Sequence, residues 1–530
     1  MNADSALFSK KGMTVCFAAV ILVFSLSPIV SAVPAPFWFQ GHFFNTLKIV
    51  ENARATGSFS FDGVTPTNDY SPVWAGILYL LSFAAPVHST AFFVLVRLTI
   101  GAALAAALFL LNRLIDRLGY APEPAARFFV TAFAAACFFY TGQTGAEAAP
   151  AVPCLYLSAL FLLNALQKPS ALNGVLFGLS VSLAAAVRFD TLVFPLTAAL
   201  VFYFQFNRKN PVTTKQLLKL LSAMAVGLLP LMIWADARQS AFGTPAPAEL
   251  LSWAQSQDRA AWRLLIVLFV EPVRYIAQIP CTIVVVSFPV VLLLLTAYAS
   301  FPWTGKEQTP ADTVFYTLIW HPVLYLAGIG AMTYIALPEY AFYTLAAGAP
   351  AALVFATSRI DTQLTGREKN LAQRVWTILG VCFCLISVFY ATHPRSAFYE
   401  PVTRTVGEFT AAHKGRFAMG AGAGITAFET GADFVRLDGM AQDKKMLDFL
   451  GAQTDLSTVF KHYGVNYYVA ANPTSADKTC YSAREPVQNR FGGSNKGMSD
   501  WLCAAPVFEK QATPKIRIGI FRIDENGKAY

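Results

Sequence analysis

Repeated apolar runs of about twenty residues, with few charges inside them, decide what this chain can become. They fall at residues 13–32, 90–111, 125–141, 149–166, 171–188, 191–207, 216–235, 278–299, 313–333, 340–357 and 374–392. Each reads as a transmembrane helix, so residues 1–392 are expected to form a polytopic α-helical membrane domain of about eleven spans. Composition closes off a soluble alternative: 13% of the 530 residues are charged, about half the share in soluble domains. Residues 74–85 are apolar but too short to span, and read as an interfacial or re-entrant helix. Segment 256–277 is mixed and reads as a juxtamembrane helix.

The net charge of +9 does not point to nucleic acid, because the basic residues are scattered and flank apolar runs. That is the pattern that orients membrane proteins. Lys10 and Lys11 place the N-terminus in the cytoplasm. Val30-Ser31-Ala32 has the look of a signal-peptidase site, yet the run before it exceeds the roughly 7–15 residues of a signal sequence. Alternation then puts Lys168, Arg208, Lys209, Lys215, Lys306, Arg359, Arg367, Lys369 and Arg374 on the cytoplasmic side. An odd number of spans leaves residues 393–530 outside. There the composition shifts, and apolar bursts at 417–419, 433–435, 467–470 and 516–523 read as strands. Residues 443–450 and 456–462 read as helices, so the segment is expected to be a small extracytoplasmic α/β domain.

Six of the eight cysteines, at 16, 137, 154, 281, 382 and 384, lie in apolar runs and read as core residues. Cys480 and Cys503 are the pair in the polar C-terminal part. Outside the cytoplasm they could form a disulfide, and unpaired thiols are the alternative.

The first outer loop, residues 33–89, holds the segment Gly41 to Trp74. Phe44, Leu47, Ile49 and Val50 recur at helical spacing over 43–56 with Lys48, Glu51 and Arg54 among them, which fits a short helix on the membrane surface. Residues 57–72 are rich in Gly, Ser, Asp, Asn and Pro and read as a loop of fixed turns. Further polar groups gather at the same end of the spans: residues 141–147, Arg188-Phe189-Asp190, 242–247 and 338–340. Ionisable residues at membrane depth are costly, which makes Glu147, Arg188 and Asp190 functional candidates. Two plainer roles stand beside this: Arg188 and Asp190 neutralising one another, and Glu147 reaching to water. Arg238, Arg259, Arg263 and Arg274 read first as interfacial anchors. A cleft of carboxylates and arginines at the lipid boundary suits a lipid-linked sugar phosphate. Arginine would hold the phosphate, and a carboxylate or imidazole would take the proton of an attacking hydroxyl.

The motifs Glu51-Asn52, Phe61-Asp62-Gly63, Thr67-Asn68-Asp69, Pro72-Val73-Trp74, Gly145-Ala146-Glu147, Arg188-Phe189-Asp190, Phe242-Gly243-Thr244-Pro245-Ala246-Pro247 and Arg436-Leu437-Asp438-Gly439 occur in this order. In that order the chain resembles the class C (GT-C) membrane glycosyltransferases, in the bacterial branch similar to mycobacterial arabinofuranosyltransferases. The resemblance implies a polyprenyl-phosphate sugar donor, a glycan or lipid acceptor of the cell envelope, and inversion at the anomeric carbon. It places the enzyme in a bacterial cytoplasmic (inner) membrane with its site facing outward. Arg188, with Lys48 or Arg274, would lie near the phosphate, and Glu147 and Asp190 would line the substrate site. The family's paired aspartates, one the expected base, align with Gly41-His42. The base is then His42, or Asp62 or Asp69 from the following loop, or activity is lost. A divalent cation, were one needed, would find its oxygen ligands in Asp62, Asp69 and Glu147. Two rivals remain: a non-catalytic envelope protein binding glycolipid or a partner enzyme, and a lipid-linked glycan transporter, which the lack of an internal repeat disfavours.

Overall fold

The computed structural model describes residues 10–39, 41–67, 70–120, 122–143, 145, 147–206, 214–243, 282–300, 309–332, 339–394, 399–420, 422–438, 443–475, 480–485 and 497–530. Helices occupy the apolar runs: α1 (Lys10–Val30), α4 (Thr90–Leu118), α5 (Pro124–Gly142), α6 (Ala148–Gln167), α7 (Ala171–Val187), α8 (Val193–Phe206), α11 (Thr282–Ser300), α12 (Pro310–Met332), α13 (Glu339–Gln363) and α14 (Gly366–Thr392). Between α1 and α4 lie α2 (Gly41–Thr56) and the short α3 (Pro72–Ala84). Ser71 starts α3 by accepting the Trp74 N–H, with Pro72 in the first turn where no N–H is needed. Among the described residues α4, α5, α6 and α14 are long and apolar enough to cross a membrane by themselves. Segment 256–277 lies outside the described residues.

The expected span at 216–235 is not one helix. It is α9 (Thr214–Gly227) and α10 (Leu229–Phe242), bent by 52° at Leu228. Pro230 in the first turn of α10 removes a backbone donor that a continuous helix would need. Close packing fixes the break in place. A Cβ on Gly178 of α7 would strike the Met224 carbonyl and Gly227, and one on Gly174 would strike Ala223. Glycines four apart let α7 and α9 touch backbone to backbone.

Arg97 of α4 is fully buried within the bundle. Its Nε donates to the Phe24 carbonyl at 2.5 Å, and its Nη2 to the Ala391 carbonyl at 2.8 Å and to Ser27 Oγ at 3.2 Å. Neither carbonyl is served by the backbone of its own helix, and the Ser27 hydroxyl also reaches each of them, at 3.1 Å for Phe24 and 3.0 Å for Ala391. Pro28 inside α1 has no N–H to offer Phe24 four residues back, and Ala391 lies in the last turn of α14. The guanidinium also stacks 3.8 Å from the Phe24 ring and 4.9 Å from that of Trp38. One side chain thus joins α1, α4 and α14.

The C-terminal part forms two sheets. The larger has five strands in the order β2-β1-β3-β8-β7: β1 (Arg416–Met419), β2 (Asp433–Arg436), β3 (Tyr467–Ala471), β7 (Phe508–Thr513) and β8 (Ile516–Arg522). β1, β2 and β3 are parallel, and β8 is antiparallel to β3 and β7. Alternate residues face opposite layers. Phe417, Phe434, Val469 and Ile520 pack with α15 (Glu400–Ala412) and α16 (Ala423–Thr430), while Ala418, Val435, Tyr468 and Phe521 pack with α17 (Lys444–Ala452) and α18 (Leu456–Tyr463). The smaller sheet is β4 (Thr474–Ser475), β5 (Tyr481–Glu485) and β6 (Met498–Leu502). Cys480 and Cys503 are bonded one rung beyond the Tyr481–Leu502 pair.

The expectation of a helix lying on the membrane surface needs correction. α2 is buried from Phe43 to Val50. Phe43, Phe44, Leu47 and Val50 belong to the core of the bundle, whereas Ile49 belongs to the core of the outer domain together with Phe61. Phe44 and His88 both meet the Phe428 ring of α16. The helix is held between two bodies, which is why its apolar residues do not share one face.

Replacing Arg97 by leucine leaves two buried carbonyls with a single donor between them, the Ser27 hydroxyl. We expect a loss of about 2–4 kcal/mol, read as a lower unfolding temperature in detergent, with partial recovery in Arg97→Lys. Unchanged unfolding in Arg97→Leu would show that the contacts carry no stability.

Candidate functional site

α7 ends at Val187, and the chain turns through a short 3-10 helix, Phe189–Leu192. This corner presents Arg188 and Asp190 two residues apart on the same side. Arg188 Nε donates to both Asp190 oxygens, at 2.9 and 3.1 Å, and Nη2 donates to Oδ2 at 3.0 Å. Its Nη1 reaches Glu147 Oε1, at the start of α6, at a looser 3.4 Å. Tyr325 of α12 donates to Asp190 Oδ2 at 2.5 Å, and the guanidinium lies 4.7 Å from the Tyr343 ring of α13. Four elements therefore converge on one arginine. Arg188 is 8% exposed, against 17% for Asp190 and 21% for Glu147, so the cation is the most buried of the three. His321, one turn before Tyr325, is fully buried, and neither ring nitrogen has a hydrogen-bond partner among the described residues.

The structure thus brings Glu147, Arg188 and Asp190 together and adds Tyr325, Tyr343 and His321, which sequence reasoning missed. A histidine and a tyrosine four apart inside the run 313–333 were the available signal, since polar groups there need partners.

The other candidates separate. Asp62 closes its own turn: Oδ1 accepts from Ser60 Oγ at 2.8 Å, Val64 N at 3.0 Å and Thr65 N at 2.7 Å, and Oδ2 from Thr65 Oγ1 at 3.2 Å. Lys48 pairs with Glu51 at 2.9 Å, and Glu51 with His88 at 2.9 Å. Burial would raise the Glu51 carboxyl, but His88 and Lys48 together hold it below its ordinary value. Lys48 belongs to this bridge and not to the Arg188 cluster. His42 opens α2, but its side chain lies outside the described residues, as do Asp69, Arg274 and residues 244–247 of the Phe242 motif. The first turn of α2 is nonetheless located. Phe39 and Phe43 close on Gly145, where a Cβ would overlap both rings, and Trp74 Nε1 donates to the Gly145 carbonyl at 3.1 Å. The corner that carries Glu147 therefore packs against the residues flanking His42.

On the outer side, Arg436 at the end of β2 donates to both oxygens of Asp438 at 2.7 Å and to Asn45 of α2. Close by, the Glu485 carboxyl lies against Gly420, where a Cβ would overlap it. Tyr468 donates to its Oε1 at 3.0 Å, and its Oε2 has no partner among the described residues. Burial pushes the Glu485 carboxyl up to about 8, the Tyr468 hydrogen bond opposing this and the Asp438 charge adding to it. Among the described residues no three carboxylate, imidazole or thiol groups gather in a way that could hold a metal ion.

This architecture is found in solved proteins of low sequence identity. ArnT from Cupriavidus metallidurans is 11% identical both in the apo state, with a TM-score of 0.55, and bound to undecaprenyl phosphate, with 0.53. Each comparison covers 87% of this chain and 93% of that one. The arabinofuranosyltransferase AftD from Mycobacteria is 14% identical over 98% of this chain and 40% of its own, at a TM-score of 0.49 that carries no weight. No family model and no curated protein matches the chain. The fold is that of the GT-C glycosyltransferases. Fold alone does not assign an activity.

The Glu485 carboxyl gives a pH signature. Folded, it keeps its proton up to about 8, whereas unfolded it ionises from its ordinary 4.5. Its contribution to stability is therefore full below 4.5 and is lost as pH rises through 8. Glu485→Gln, which cannot ionise, should melt with the native protein at low pH and above it by pH 8. Parallel melting curves across that range would show that the carboxyl does not hold the proton.

Proposed function

We propose that the protein transfers a sugar from a polyprenyl-phosphate donor to a glycan or lipid acceptor of the cell envelope. The reaction would take place at the outer face of the cytoplasmic membrane, in a chain crossing it about eleven times. The observation that carries this reading is the Glu147–Arg188–Asp190 cluster, beside the first turn of α2 in a bundle with the GT-C fold. The Cys480–Cys503 disulfide supports an oxidising, extracytoplasmic position for the outer domain.

In the reaction the acceptor hydroxyl loses its proton to a base as its oxygen bonds to the anomeric carbon. The bond from that carbon to phosphate breaks on the opposite side, and polyprenyl phosphate leaves with the electron pair. Arg188 is the cation for the phosphate. Its 3.4 Å contact with Glu147 is the weakest of its set and the one a phosphate oxygen would replace. Asp190, fixed by Arg188 and Tyr325, keeps the guanidinium in place. Asp62 is committed to its turn, so the base is His42, Asp69 or the released Glu147. Arg274 keeps the role that the family resemblance gives it, a phosphate contact.

The commitment of Asp62 also favours the second reading, a glycolipid-binding protein without turnover. One assay separates the two: sugar transfer by detergent-purified protein offered a panel of polyprenyl-phosphate donors. We expect transfer to fall by about 10²-fold or more in the Arg188→Ala, Asp190→Ala double variant. Comparable loss in only one of His42→Ala, Asp69→Asn and Glu147→Gln would identify the base. An unaltered rate in the double variant would remove the assignment, and donor binding without turnover would select the second reading.

A further inference from the structure

The parallel strands lie in the order β2-β1-β3. The chain leaves β1 for β2 through α16 on one face, and passes from β2 to β3 through α17 and α18 on the other. A sheet wound in both directions opens a crevice outside the carboxyl ends of its strands at the switch point, here between β1 and β3.

The residues at that edge come from distant parts of the chain. Gly420 and Gly422 follow β1, Asp438 follows β2 and Glu485 ends β5, while Asn45 enters from α2. Arg436 bonds to Asp438 and Asn45 together, which ties the crevice to the first-loop helix one turn from His42. Glu485 is 3% exposed and rests on the bare Cα of Gly420. Its Oε1 takes the Tyr468 hydroxyl, and its Oε2 is buried with no partner among the described residues. A buried polar atom in that state is costly and calls for a partner beyond the described residues.

We infer that this crevice binds the hydroxyl groups of a neutral sugar, with the Glu485 carboxyl as its buried contact. A hydroxyl both donates and accepts, so it matches a mixed set of a carboxyl, an arginine-held carboxylate and an amide. An anion does not fit, because Arg436 and Asp438 cancel and the Glu485 carboxyl covers the glycine turn where a phosphate would approach. In assigning the sugar to the acceptor glycan, the inference rests on the transfer reading. The binding of a sugar does not.

The test is equilibrium binding, independent of turnover. Full-length protein in detergent is offered methyl glycosides of common pyranoses and furanoses, read by saturation-transfer NMR, with inorganic phosphate as competitor. We expect at least one glycoside to bind, and Glu485→Gln, which keeps a donor and an acceptor, to retain it. Glu485→Leu should weaken binding about tenfold, the size of one lost neutral hydrogen bond. Gly420→Ala, which displaces the carboxyl, should do the same and serves where the leucine variant does not fold. Binding of no glycoside, equal binding in the folded Leu or Ala variant, or displacement by phosphate would overturn the inference. Sugar binding without transfer from any donor would overturn the activity reading and leave this site standing.

Discussion

Arg97 and the Ser27 hydroxyl answer two carbonyls that the backbone of their own helices leaves open, and three helices of the bundle meet at the guanidinium. Inside an apolar bundle a polar group that no other part of the protein answers is costly. A proline in α1 and the end of α14 create the need, and an arginine from α4 meets it. The same constraint shapes the Arg188 cluster, where a cation at the end of α7 is met by carboxylates and tyrosines from three other places. The two arginines differ in what lies around them. Arg97 is sealed among carbonyls and rings, whereas the partners of Arg188 are partly exposed carboxylates.

α2 connects the two halves of the molecule. Its Phe44, Leu47 and Val50 complete the bundle, and its Ile49 completes the outer domain. Its first turn adjoins the Glu147 corner, and Asn45 one turn later meets Arg436. In the transfer proposed above, a lipid-linked donor and a glycan held by the outer domain would meet at this helix. The Lys48–Glu51–His88 bridge and the Phe428 stack keep it from rotating, a rigidity that positioning of two substrates requires.

Periodicity and residue type were enough for the helices of the apolar runs, for α17 and α18 and for β1, β2, β3 and β8, because each depends on backbone geometry over a few neighbouring residues. They did not reveal α15, α16 or β4 to β7, and Asp62 read as a candidate base although it closes its own turn. The bend at Leu228 had a local sign in Gly227 and Pro230, but the run remained apolar throughout and read as one span. Arg188 and Asp190 could be singled out because charge is scarce at that depth, and their pairing is itself local. What only the tertiary structure decided is which distant groups join them. Tyr325 comes from 135 residues away, and Arg436 finds Asn45 across 391. α2 was misjudged for the same reason: Ile49 is buried by strands and helices that follow it by more than 350 residues. Local pattern states that a side chain must be buried or paired. The identity of its partner depends on how whole elements pack, and no short stretch of sequence contains that.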